Sequence, residues 1–127
     1  MRFKHLAIVL VAMLIASAAA SAHHGYDDFY KDRRVTVEGV LEDIVYANPH
    51  VTMKIRTDDG VLYTALWEGL NGVQRRGGTP TTFKAGDRVK VVGCPPRDPA
   101  SREIALLKQV TRMSDGWTWQ TWQASLQ

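Results

Sequence analysis

The chain has 127 residues, 45% of them apolar and 23% charged, with one cysteine and a formal net charge of +3. That length carries one small core and not two, and a lone cysteine rules out an internal disulfide. With Arg2 and Lys4 set aside as part of an N-terminal leader, the 16 basic residues fall by two to 14 against 13 acidic ones, a net of +1, which leaves no basic excess for a nucleic-acid binder.

The leader is read from its pattern. Arg2 and Lys4 precede the apolar run "LAIVLVAMLIA", and small residues follow it up to Ala22. A basic start, a short apolar run and a small-residue tail make a secretory signal peptide, and the run is too short to span a bilayer comfortably. Ala20, Ser21 and Ala22 fit the small-x-small rule, so cleavage after Ala22 leaves His23 as the first residue. Cleavage after Ala20 fits nearly as well and leaves Ser21, Ala22 and His23 at the start. The expected organisation is a signal peptide over 1–22, a β-barrel domain over 23–112 and a tryptophan-rich tail over 113–127, in a periplasmic or secreted protein with no stable membrane insertion after cleavage.

After the leader, "HHGYDDFYKD" opens the mature chain. Tyr26, Phe29 and Tyr30 can anchor the segment 25–34 by burial, while Asp27 and Asp28 read as exposed loop charges. "RRVTVEGVLEDIVYANPH" predicts a long strand whose alternation slips near Gly39, with a bulge or bend there, and "NPH" ends it. "VTMKIRTDDGVLYTALWEG" predicts two strands joined at Asp58, Asp59 and Gly60, with Val51, Met53 and Ile55 on one face and Thr52, Lys54 and Arg56 on the other.

"EGLNGVQRRGGTP" predicts one or two helical turns ended by Gly77 and Gly78. "FKAGDRVKVVGCPP" gives a turn at Gly86 and Asp87 and a strand from Arg88 to Gly93, with Cys94 closing it as a small apolar residue or standing as a reactive thiol. "REIALLKQVTR" gives a fifth strand. In the tail "SDGWTWQTWQASLQ", Trp117, Trp119 and Trp122 pack onto the barrel or form an aromatic contact surface. Three strands, a short helix and two more strands predict an all-β fold, a small five-stranded OB-like barrel with one short helix between strands 3 and 4. The predicted core is Val37, Leu41, Val51, Met53, Ile55, Leu66, Val89, Val91, Ile104 and Leu106.

"AHHG" at the export junction, "NPH" after the first strand, "NGVQRRG" in the helical segment and "FKAGDRVKVVG" after it together resemble a family of small exported bacterial proteins of unknown function. Its members read Ala-His-His-Ser at the start, then Asn-Pro-His before a strand, then Asn-x-x-x-Arg-Arg-Gly. This chain has Gly25 in place of the serine, and Tyr46 and Ala47 where tryptophan and a polar residue are common. The resemblance implies an exported small barrel and carries no activity with it.

The chemistry must come from residues. No Ser-His-Asp set, CxxC or phosphate loop is present, so the reading is a binding or accessory protein rather than an enzyme. A copper oxidase built on a histidine brace would also need an open metal position and a substrate platform. His23, His24 and His50 are the candidate metal ligands, since imidazole suits zinc, copper and nickel. A terminal His23 offers its α-amine and imidazole as a chelate, and His50 can complete a three-nitrogen set for copper, the one cofactor expected. If Ser21 is the terminus, its amine, two deprotonated amides and the His23 imidazole make a square-planar set for Cu(II) or Ni(II). Competing readings remain: solvated histidines at the junction, a His50 ring that bonds a nearby carbonyl, and a metal-free module whose barrel face and tail hold a small apolar ligand, a peptide or a partner protein. Glu68 stands as a metal-side carboxylate or a helix cap, and Arg75 with Arg76 as an anion site or a solvated helix face.

Overall fold

The computed structural model describes residues 25–121. The signal-peptide span 1–22, His23, His24 and Trp122 lie outside the described residues. Six strands and one short helix follow a single 3-10 turn at Tyr26–Asp28: β1 Val35–Val45, β2 Thr52–Arg56, β3 Leu62–Leu66, α1 Leu70–Arg75, β4 Arg88–Cys94, β5 Glu103–Arg112 and β6 Thr118–Gln120. The sheet runs β3-β2-β1-β4-β5-β6, and a parallel pairing of β3 with β5 closes the first five strands into a barrel. The cyclic order 1-2-3-5-4-1 with the helix between β3 and β4 is that of an OB fold.

The long first strand serves two neighbours. Val35 to Val40 pair with β4 and Val40 to Val45 with β2, so the strand changes partners at its middle. Gly39 sits at this point: a Cβ built on it would collide with the Arg56 carbonyl. The change of phase, however, is not at Gly39. Val37, Gly39 and Leu41 all face inward, and the register shifts between Leu41 and Asp43, which makes Glu42 the extra residue of a bulge. Glu42 points outward and pairs with the Arg56 guanidinium on β2.

The core is Val37, Leu41, Val51, Met53, Ile55, Ala65, Trp67, Val73, Phe83, Val89, Val91, Ile104, Leu107, Val110 and Trp119. Eight of the ten predicted core residues are among these, and Leu66 and Leu106 are not. In β3, Ala65 lies opposite the buried Met53, and opposed residues in an antiparallel pair share a face. Ala65 and Trp67 therefore point inward and Leu66 outward. In β5, Leu106 has a positive φ of 50°, and the pairing with β4 jumps from Cys94↔Ala105 to Val92↔Gln109. That bulge turns Leu106 away from the core and puts Leu107 into it. Leu66 and Leu106 instead cover a second small cluster of Phe29, Cys94 and Ala105.

Two further features depend on this second cluster. Phe29 bridges to Pro96, Tyr30 donates its amide to the Pro95 carbonyl at 2.9 Å and Arg97 donates to Asp28 at 2.8 Å, so the segment before β1 lies along the barrel, anchored by the burial of Phe29 alone: Tyr30 is half-buried and Tyr26 is 40% exposed. Cys94 is fully buried, with the Arg34 guanidinium 3.4 Å from its sulfur, and it ends β4 as a small packed residue.

The described part of the tail joins the sheet. β6 pairs with β5 through Gln109↔Gln120, Val110↔Trp119 and Thr111↔Thr118, which lays Trp119 into the end of the barrel with none of its surface exposed. Its ring meets Trp67 edge to face at 5.0 Å between centroids, Trp67 meets Phe83 at 5.9 Å, and Phe83 meets Trp117 at 5.6 Å. The turn into β6 is pinned by Asp115, which accepts from Arg112 at 2.8 Å and from the Trp117 amide at 3.1 Å. The Arg112 hydrogen bond, with that amide second, holds the Asp115 carboxyl down to about 2.

Trp119→Ala should empty the end of the barrel and cost about 3–5 kcal/mol, as buried aromatic truncations do. Urea unfolding followed by far-UV circular dichroism reads this directly; a loss below about 1 kcal/mol would mean that β6 is not part of the cooperative core.

Candidate functional site

The site is built around the turn between β1 and β2. Asn48, Pro49 and His50 form it, with a cis Asn48–Pro49 peptide. Each of its polar side chains reaches across to the stretch that links β3 to α1. Helix α1 begins at Gly69, which has no side chain to cap it, and Asn48 supplies the missing acceptor: its Oδ1 takes the Leu70 amide at 2.9 Å. A Cβ on Gly69 would stand only 3.0 Å from that same oxygen and from the Pro49 carbonyl, so a side chain there would press on both. Backbone bonds tighten the crossing, with Val51 donating to Glu68 at 3.0 Å and Trp67 donating to Val51 at 2.9 Å.

His50 is half-buried, and its Nδ1 lies 2.8 Å from the Trp67 carbonyl oxygen. A carbonyl only accepts, so Nδ1 carries a proton, and in the neutral ring the lone pair lies on Nε2. That is the arrangement of a metal-ligating histidine, whose distal nitrogen is held by a backbone carbonyl. On its other side the His50 ring packs against Tyr26, with centroids 5.8 Å apart in an edge contact. The Tyr26 phenol is pushed above its ordinary value by burial first and then by the charge of Glu68, so it stays protonated at neutral pH. His50 thus packs beside Tyr26, the residue after Gly25, where the described chain begins.

Glu68 and Arg76 settle each other. The Arg76 guanidinium donates to Glu68 at 2.9 Å and lies over the Trp119 ring at 5.3 Å. The Leu70 amide is taken by Asn48 and not by Glu68, and Arg75 and Arg76 both remain exposed on the helix.

Beside this turn the barrel wall opens. The β3–β5 register pairs are Thr64↔Glu103 and Ala65↔Ile104, and the Leu106 bulge then carries β5 toward β6. The gap is a cleft of about 140 Å³ lined by Tyr26, Trp67, Glu68, Leu106, Leu107, Lys108 and Thr121. Trp67 and Thr121 are 2% and 7% exposed, yet the Trp67 indole nitrogen and the Thr121 hydroxyl have no hydrogen-bond partner among the described residues. Both ends of the described chain reach this cleft, through Tyr26 and Thr121.

Of the three candidate ligands, His50 is placed here, while His23 and His24 lie outside the described residues. Among the described residues no three His, Cys, Asp or Glu side chains gather as a metal site. Sequence reading passed over Tyr26 as a site residue, and over Lys108 and Thr121 altogether. Tyr26 carries a weak signal in its position two residues after the histidine pair; Lys108 and Thr121 carry none, because a bulge and an edge strand bring them together.

A family model matches residues 11–105. The chain belongs to DUF6152, a family of unknown function. The DUF6152 match includes Tyr26, Asn48, His50, Trp67 and Glu68, and ends before Leu106, Lys108 and Thr121. No curated protein and no solved structure gives a significant match to the chain.

Asn48→Ala should remove the side-chain acceptor at the start of α1 and cost about 0.5–2 kcal/mol. Hydrogen exchange should show the Leu70 amide losing protection first. Unchanged stability together with unchanged Leu70 exchange would mean that the turn does not hold the helix.

Proposed function

We propose that the protein is exported, loses residues 1–22 and holds one divalent metal ion, copper foremost, through His23, His24 and His50, as a periplasmic binding or accessory protein without turnover of its own. The observation that carries this reading is the contact of Tyr26 with a His50 ring whose Nδ1 is already engaged by Trp67. Consecutive Cα atoms are about 3.8 Å apart, so covalent connection alone keeps the His24 Cα within roughly 7.6 Å of that of Tyr26 and the His23 Cα within roughly 11.4 Å. Imidazoles on such a tether can reach His50 Nε2. The terminal amine and ring of His23 chelate the ion, His50 gives the third nitrogen, and the Glu68 carboxylate lends negative charge nearby. The family match adds no activity to set against this reading.

The test starts from the mature terminus. Mass spectrometry of the exported protein should find His23 or Ser21 first; Met1 retained in the membrane fraction contradicts the reading. The cleaved protein should bind Cu(II) one to one, and less tightly below about pH 6, where free imidazole takes up protons. For the chain that starts at His23, adding one Met before it and changing His50→Ala should each weaken binding at least tenfold, about 1.4 kcal/mol. Affinity unchanged by His50→Ala would remove His50 from the site, and no binding at all would end the proposal.

A further inference from the structure

Two aromatic contacts hold the segment ahead of β1. Phe29, 6% exposed, bridges to Pro96 on the far side of the β4 end, and Tyr26, three residues earlier, packs its ring in an edge contact on His50, with centroids 5.8 Å apart. The 3-10 turn between them is weakly built. Its backbone bonds are 3.4 Å from Asp28 to Gly25 and 3.2 Å from Phe29 to Tyr26, no side chain caps it, and none of its residues is buried. Tyr26 is 40% exposed and belongs to neither core cluster, so the barrel does not depend on its ring.

The ring matters to the reach of the chain before it. Anchored at Tyr26, the His23 Cα stays within roughly 11.4 Å of its anchor, whereas anchored only at Phe29 it ranges to roughly 22.8 Å. The volume open to it grows about eightfold at that limit, and for a flexible tether the effective concentration falls about threefold when its length doubles. A terminal chelate freed at Tyr26 would meet His50 less often in that proportion.

We propose that Tyr26 is the positioning residue of the metal site: its ring, packed on His50, holds the N-terminal segment where the terminal chelate and His50 share one ion. This rests on the metal reading above and adds to it the residue that joins the two ligand sources. Tyr26 gives the ion no atom of its own. It acts through His50, whose ring is fixed on one nitrogen by the Trp67 carbonyl, and through the length of free chain ahead of it. The contact is made by the ring, so the phenol oxygen is dispensable.

The experiment is a Cu(II) titration of the exported protein and of Tyr26→Phe, Tyr26→Ala, His50→Ala and the double variant, with electron paramagnetic resonance of each complex. Tyr26→Phe should bind within about twofold of wild type, and Tyr26→Ala should bind about three- to eightfold more weakly, with a spectrum moved toward that of His50→Ala. In the His50→Ala background, Tyr26→Ala should change affinity by less than about twofold, because the ring then has nothing to position. Far-UV circular dichroism should show every variant folded. An unchanged affinity in Tyr26→Ala, a loss as large in Tyr26→Phe, or the same loss with and without His50 would each overturn the assignment while the metal reading stood. A wild-type affinity that His50→Ala leaves unchanged would overturn both, and the His50→Ala arm alone tells that failure apart.

Discussion

The hydrogen bond from His50 Nδ1 to the Trp67 carbonyl is the constraint around which the rest of the site is arranged. It joins the turn between the first two strands to the exit of the third, and it acts together with the Asn48 cap on α1 and the backbone bonds of Val51 with Glu68 and Trp67. The turn backbone is held at several points, and the imidazole itself is oriented by its bond to the Trp67 carbonyl. The consequence is chemical as well as mechanical: Nδ1 is committed as a donor, so in the neutral ring the lone pair lies on Nε2. Trp67 is fixed by the same contacts, and its ring is the centre of the aromatic group that fills the end of the barrel.

The seam of the barrel explains why the site lies at this end. An OB barrel closes by a short parallel pairing, and here the pairing is two residue pairs long. A longer pairing would have brought β5 against β3 as far as Trp67 and left no cleft. The bulge at Leu106 diverts β5 instead, and β6 covers part of the resulting gap with Trp119. What the added strand does not cover is the cleft between Tyr26, Glu68, Lys108 and Thr121.

Much of the fold is legible in the sequence because it depends on local alternation. Val51, Met53 and Ile55 face inward as their spacing requires, Asp58, Asp59 and Gly60 make the hairpin, and the glycine-rich segment gives one short helix ending just before Gly77. The misreadings share a cause. Alternation shows a change of phase but not which residue is extra, so it points to the glycine at 39, whereas Glu42 forms the bulge. At Leu66 the alternation of β3 alone does not show which face is inward, and the cross-strand pairing with Met53 selects the small Ala65. Leu106 was misplaced because a leucine at positive φ leaves no mark in the sequence. The site divides in the same way: His50 is legible as a ligand type, whereas Lys108 and Thr121 meet Tyr26 only through a bulge and a three-residue strand. The turn "NPH" was legible as a break, but its role as a clamp depends on a helix 22 residues further along the chain.

The central claim is that His50 offers Nε2 to a metal because Nδ1 is held by Trp67, and the tautomer of that one ring tests it most directly. In the exported protein, nitrogen-15 histidine spectra should show His50 protonated at Nδ1 and bare at Nε2, and one equivalent of Zn(II), a diamagnetic ion that suits imidazole, should move the Nε2 resonance while Nδ1 keeps its proton. A ring protonated at Nε2 in the free protein, or a Nε2 resonance that does not respond to the metal, would contradict the account.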